Sequence, residues 1–111
     1  MAYQARHHGI APVFGLPTPF DADQAGKQPW NPPESGYARL LDNVQALGQK
    51  LTTAARESEI PVLDFYRLFT DDSNTVSTAL FLEDGVHPNG QGHREMAVLA
   101  ASEIREHFLM P

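Results

Sequence analysis

Leu82-Glu83-Asp84-Gly85-Val86-His87-Pro88-Asn89-Gly90-Gln91-Gly92-His93 is the most informative stretch of the chain. A carboxylate and an imidazole stand three residues apart in a turn. Gly85 frees the backbone to curl, and Pro88 fixes the chain just after the histidine. Asn89 is placed to cap a final helix over about residues 90–109, with Met96, Ala97, Ala100, Ala101, Ile104 and Phe108 as its apolar stripe. Asp84 in this position accepts the Nδ1–H of His87. That fixes the tautomer and leaves Nε2 as a general base. An arbitrary Asp-x-x-His is usually only a turn beside a surface histidine, and it is the surroundings that give this one weight.

Working upstream, residues 66–83 read as irregular, with Phe69, Leu80, Phe81 and Leu82 as apolar points. Ile60 to Phe65 (IPVLDF) reads as a buried strand with proline at its start. Before it, Tyr37 to Ser58 carries the clearest helical pattern. Tyr37, Leu40, Leu41, Val44, Leu47, Leu51, Ala54 and Ala55 recur at three- and four-residue steps, and Ser35 is the expected N-cap. Residues 17–36 hold prolines 17, 19, 29, 32 and 33 and predict a long loop without regular structure. Ile10 to Leu16 (IAPVFGL) predicts a second strand with its core at Val13 to Leu16. Residues 1–9 fit either the tail of a helix or a disordered terminus.

The order strand, loop, helix, strand, loop, helix implies parallel pairing in an α/β sheet. Only two strands are visible, and a parallel sheet normally has more strands and is covered on both faces. An unpaired strand edge attracts another strand, so a second copy of the chain or a complementing N-terminal segment is an expected partner. The acid–base turn then lies at the carboxyl side of the sheet, where α/β proteins place their sites.

Composition narrows the class. The chain has 111 residues, 41% apolar and 20% charged, ordinary values for one small globular domain. A net charge of −6 disfavours a nucleic-acid or anionic-membrane partner. The absence of cysteine excludes disulfides, thiolate catalysis and Cys-ligated metals. No apolar run reaches a membrane span, and the start of the chain has no apolar signal core, which favours a cytoplasmic chain. His7, His8, His87 and His93 have no recognised ligand spacing, so no metal site is expected.

Asp84-Gly85-Val86-His87-Pro88-Asn89, followed by Gly92 and an Ala-rich helix, resembles the last block of the SGNH/GDSL-type serine ester hydrolases. Pro12-Val13-Phe14-Gly15-Leu16-Pro17-Thr18-Pro19 resembles that family's fourth strand and its proline-rich exit. Residues 37–65 resemble the following helix and fifth strand, with Asp64 near the strand end. The resemblance runs from about residue 5 to 108 and implies a three-layer, flavodoxin-like α/β fold. Residues 1–111 would be the C-terminal segment of that domain, from its fourth strand to its final helix. It further implies a cofactor-free carboxylic-ester hydrolase in which His87 is the base and Asp84 orients it. Val86 and Phe81, beside that pair, are the candidate substrate-pocket residues. Phe14, Phe20, Trp30 and Phe69 could also line an acyl pocket; core or loop packing is the other reading, and the favoured one for Phe14.

The family's Gly-Asp-Ser-type nucleophile block and its oxyanion Gly and Asn are missing from this chain. Ser35, Ser58, Ser73, Ser77 and Ser102 do not follow Gly-Asp in a strand-to-helix turn, and Asp71-Asp72-Ser73-Asn74 comes after the wrong strand. A base without a nucleophile has nothing to activate. The chain alone is therefore expected to be inactive. Two other readings follow from the same gap: a truncated chain that folds by strand exchange, and a small α/β binding module in which the motif is accidental.

Overall fold

The computed structural model describes residues 1–29 and 37–109. Helix α1 spans Ala2–His7, β1 Phe14–Gly15, α2 Ala22–Gly26 and α3 Tyr37–Glu57. Strand β2 follows at Val62–Leu63, then α4 at Phe65–Leu68, a 3-10 turn at Thr78–Leu80, and α5 at Gly90–Ile104 with a π-type last turn at Arg105–Leu109. The strands pair parallel, Phe14 with Val62 and Gly15 with Leu63. This is an α/β arrangement of two parallel strands and helices.

Both strands are shorter than their apolar runs. Pro12 and Pro61 bound them on one side, and neither can donate to a ladder. The amides of Phe14 and Leu16 donate to the carbonyls of Pro61 and Leu63 at 3.0 and 2.9 Å. Alternation along the strand then turns the N–H and C=O of Gly15 to the opposite edge.

Two segments expected to be irregular are ordered, and the terminus takes the helical one of its two expected forms. The terminus forms α1, and the Arg6 guanidinium holds the Ser58 carbonyl at 2.5 Å, tying α1 to the turn after α3. The proline-rich loop holds α2, whose N-cap Asp21 accepts from the amides of Asp23 and Gln24 at 3.1 and 3.2 Å. Asp64 caps α4 through the Arg67 amide at 2.9 Å. The expected cap at Ser35 lies outside the described residues.

The apolar stripe expected on α3 is divided. Leu41, Val44, Gly48, Leu51 and Ala55 face inward at steps of three and four, whereas Leu40 and Leu47 are exposed, Leu47 by 50%. On α5, Met96, Leu99 and Ala100 are partly covered, and Ala97, Ala101, Ile104 and Phe108 face outward. The best-packed core lies under the acid–base turn. Phe69, Leu80 and Phe81 form it, with Leu68, Val76 and Met96 against them, and the Phe69 and Phe81 rings are 5.0 Å apart.

Candidate functional site

Residues 81–89 form a closed loop between the 3-10 turn and α5. Phe81 and Pro88 make an antiparallel bridge, the Leu82 amide donates to the His87 carbonyl at 2.8 Å, and the Gly85 amide donates to the Leu82 carbonyl at 2.9 Å. Gly85 takes φ +72°, the left-handed region that favours glycine. Asn89 locks the downstream end. Its Oδ1 accepts from the Gly92 amide at 2.9 Å, and its Nδ2 donates to the carbonyls of Ala79 and Phe81 at 2.7 and 3.2 Å. Gly92 is buried there. A methyl group at that position would stand 2.5 Å from the Leu80 carbonyl oxygen and 3.0 Å from the Phe69 ring.

Within this loop Asp84 and His87 are brought together. Asp84 Oδ1 accepts from the amides of Val86 and His87 at 2.9 and 3.0 Å. Its Oδ2 lies 2.5 Å from His87 Nδ1. One carboxylate oxygen is thus spent on shaping the turn and the other on holding the ring. With Nδ1 engaged, Nε2 is the nitrogen left for proton transfer. The side chain of His87 is 71% exposed and that of Asp84 25%. The Asp84 carboxyl is held down from 3.8 to about 2, first by the His87 backbone N–H, then by the His87 ring and the Val86 N–H. It is therefore ionised throughout the neutral pH range.

The two pocket candidates separate. Phe81 is buried in the core against Phe69, with its ring committed to packing. Val86 is half-buried beside the pair. Ser73 sits in the turn after α4, where its amide donates to Asp71 Oδ1 at 2.9 Å, and His7 and His8 belong to α1 and its C-cap. A cleft of about 390 Å³ against α3 is lined by Leu16, Gln45, Arg56, Asp64, Tyr66 and Arg67 and includes neither Asp84 nor His87. Among the described residues, no group of three His, Cys, Asp or Glu side chains is arranged to hold a metal ion, and no helix is long and apolar enough to cross a membrane.

Sequence reasoning missed the contribution of α2. The Asp21 amide donates to the Gly85 carbonyl at 2.7 Å, and Gln28 Nε2 donates to the Glu83 carbonyl at 3.0 Å. The acid–base turn therefore rests on the segment leaving the carboxyl end of β1. A signal was present: Asp21 followed three residues later by Gln24 is a variant of the helix-capping pattern. The prolines around it masked it.

The model of the GDSL-like lipase/acylhydrolase family matches residues 2–99. The fold is similar to a GDSL-like lipase from Bacteroides thetaiotaomicron (22% identity, TM-score 0.73), covering 95% of this chain and 47% of that one. It is also similar to a putative acylhydrolase from Bacteroides fragilis (24% identity, TM-score 0.69), with coverages of 95% and 47%. A member of the lipolytic G-D-S-L family from Veillonella parvula shares 27% identity with a TM-score of 0.63, covering 99% of this chain and 50% of that one. No curated protein sequence matches. The chain spans about half the length of the solved structures it matches. A family match running from α1 into α5, across the loop that joins Asp84 to His87, leads to one conclusion: the chain belongs to the GDSL-like lipase/acylhydrolase family.

Proposed function

We propose that this chain is the C-terminal, acid–base portion of a serine ester hydrolase. Its His87 acts on a hydroxyl that another segment contributes. The observation carrying this reading is the Asp84 carboxylate, held by two amides on one oxygen and by His87 Nδ1 on the other. Such a pair fixes the ring tautomer and stabilises the imidazolium that forms on proton uptake. In the first step His87 Nε2 takes the serine proton as Oγ attacks the ester carbonyl. His87 then protonates the departing alcohol. In the second step the same nitrogen takes a proton from water as the water oxygen attacks the acyl-serine carbonyl, then gives that proton to the departing Oγ, which releases the carboxylic acid and restores the serine. Val86, half-buried beside the pair, is the residue to which we assign contact with the acyl group. No cofactor enters this scheme. The family's own members named as lipases and acylhydrolases support an ester or acylated small molecule as substrate.

The test is complementation. The purified chain incubated with p-nitrophenyl acetate is expected to show no turnover above buffer. Adding a separately produced N-terminal segment of the family, bearing a Gly-Asp-Ser-type block, is expected to restore hydrolysis. His87→Ala or Asp84→Asn in this chain should then lower the restored rate about 10²–10⁴-fold, the usual worth of a positioned base. Restored turnover that survives both substitutions would overturn the proposal.

The two-stranded sheet favours a second reading, in which the outer edge of β1 is covered by another copy of this chain.

A further inference from the structure

The acid–base turn is self-consistent locally, but local hydrogen bonds do not aim it. Asp84 binds the amides of Val86 and His87, all within three residues of it. Asn89 and the Phe81–Pro88 bridge hold the base of the loop, and its tip is held against the body of the protein by the residues that flank α2. The two residues flanking Asp84 are both held by their carbonyls: Gly85 by the Asp21 amide at 2.7 Å, and Glu83 by Gln28 Nε2 at 3.0 Å. The contact is tight as well as polar. A methyl group on Gly85 would stand 2.7 Å from the Asp21 carbonyl oxygen, 2.8 Å from Gln24 Cβ and 3.0 Å from the Ala25 amide nitrogen. Ala25 is fully buried in the same contact region.

The clamp is itself anchored. Asp21 Oδ1 caps α2 through the amides of Asp23 and Gln24. Its Oδ2 accepts from Thr78 Oγ1 at 2.9 Å, which joins α2 to the 3-10 turn that leads into the 81–89 loop. Gln28 Nε2 also reaches the Gln24 carbonyl at 3.3 Å, which ties the end of the clamp to its own helix. One five-residue helix thus touches the acid–base loop on its entry side, through Thr78, and on both sides of its carboxylate.

We infer that Asp21 and Gln28 are positioning residues that hold the Asp84–His87 turn in its working orientation through α2. The catalytic consequence rests on the reading of Asp84 and His87 as the acid–base pair; the mechanical claim does not. Asp21 braces the carbonyl after Asp84 through its backbone amide, which its side-chain bonds to α2 and Thr78 hold in place, and Gln28 braces the carbonyl before it. Losing either side chain lets the loop part from α2, and the loop's own bonds to Asp84 then open more readily.

Amide hydrogen exchange on the purified chain tests this without any turnover. Gln28→Ala and Asp21→Ala are each expected to speed exchange of the Val86 and His87 amides about tenfold, the effect of one or two modest hydrogen bonds on a local opening. The amides of Leu51 and Ala55 in α3 should stay within about twofold, since a local opening leaves elements outside its unit protected. Asp21→Asn retains a capping oxygen and should restore most of the protection. Lys27→Ala, an exposed side chain on the same segment, should change nothing. Unchanged exchange at Val86 and His87 in both alanine variants would overturn the inference. So would an equal acceleration in α3, since that marks global destabilisation. Should Asp21→Ala fail to fold, Gln28→Ala carries the same comparison alone. A positive exchange result beside failed complementation would sink the hydrolase reading and leave the clamp standing. The reverse pattern would do the opposite.

Discussion

The carboxylate of Asp84 binds more through the backbone than through its imidazole partner. The His87 N–H is the largest cause of its depressed pKa, ahead of the ring itself. A group whose folded pKa lies below its unfolded value stabilises the fold above the unfolded value and ceases to do so as pH falls through the folded one. For Asp84 that stabilising contribution is complete above about pH 4 and is lost between 3.8 and about 2. A carbon-detected NMR titration of the Asp84 carboxyl should show its midpoint near the lower value. In His87→Ala the ring is gone, but the amides of residues 86 and 87 remain. The midpoint should rise yet stay below 3.8. A midpoint at the ordinary aspartate value in that variant would mean that the amides contribute little.

At the scale of elements, Asn89 joins two roles that are usually separate. It caps α5 through the Gly92 amide, and its Nδ2 binds two carbonyls of the segment entering the loop. Asn89→Ala removes a cap and leaves the carbonyls of Ala79 and Phe81 without that donor. The expected loss is about 1–3 kcal/mol, read as a shift in urea midpoint at unchanged slope. The cap at Asn89 was legible in the sequence because its signal is local: a capping residue, two glycines and an apolar helix. The length of α3 was legible for the same reason. Helix α2 was not, because five residues amid prolines carry too little periodicity, and its stability comes from Asp21 and from the loop it grips. The division of the α3 stripe was also hidden. Leu40 and Leu47 share the helical step of their inward-facing neighbours, and the step alone does not say which of them the rest of the chain covers. Nearness to Asp84 in sequence suggests Phe81 as a pocket residue but says nothing of its packing, and its ring lies against Phe69.

The whole molecule is longer than its chain length implies. Its radius of gyration is 15.9 Å and its extents are 47 × 26 × 26 Å. A rounded domain of this many residues has a radius of about 13 Å. The elongation goes with a sheet that is two strands wide among the described residues and with apolar residues left outward, Leu40 and Leu47 on α3, Ile104 at the end of α5 and Phe108 in the turn after it. A parallel sheet so narrow has an outer edge at Gly15 able to accept a further strand. Size-exclusion chromatography with light scattering should find the isolated chain self-associating at tens of micromolar. Gly15→Pro, which removes an edge donor, should shift it toward monomer. A monomer at every concentration would count against the strand-exchange reading and leave complementation by a different segment.

The bonds that make the Asp84–His87 pair span no more than three residues. Little loop-closure entropy opposes them, so the carboxylate and the ring are joined by their own few peptide groups. A cassette so local asks nothing of distant parts of the chain in order to form.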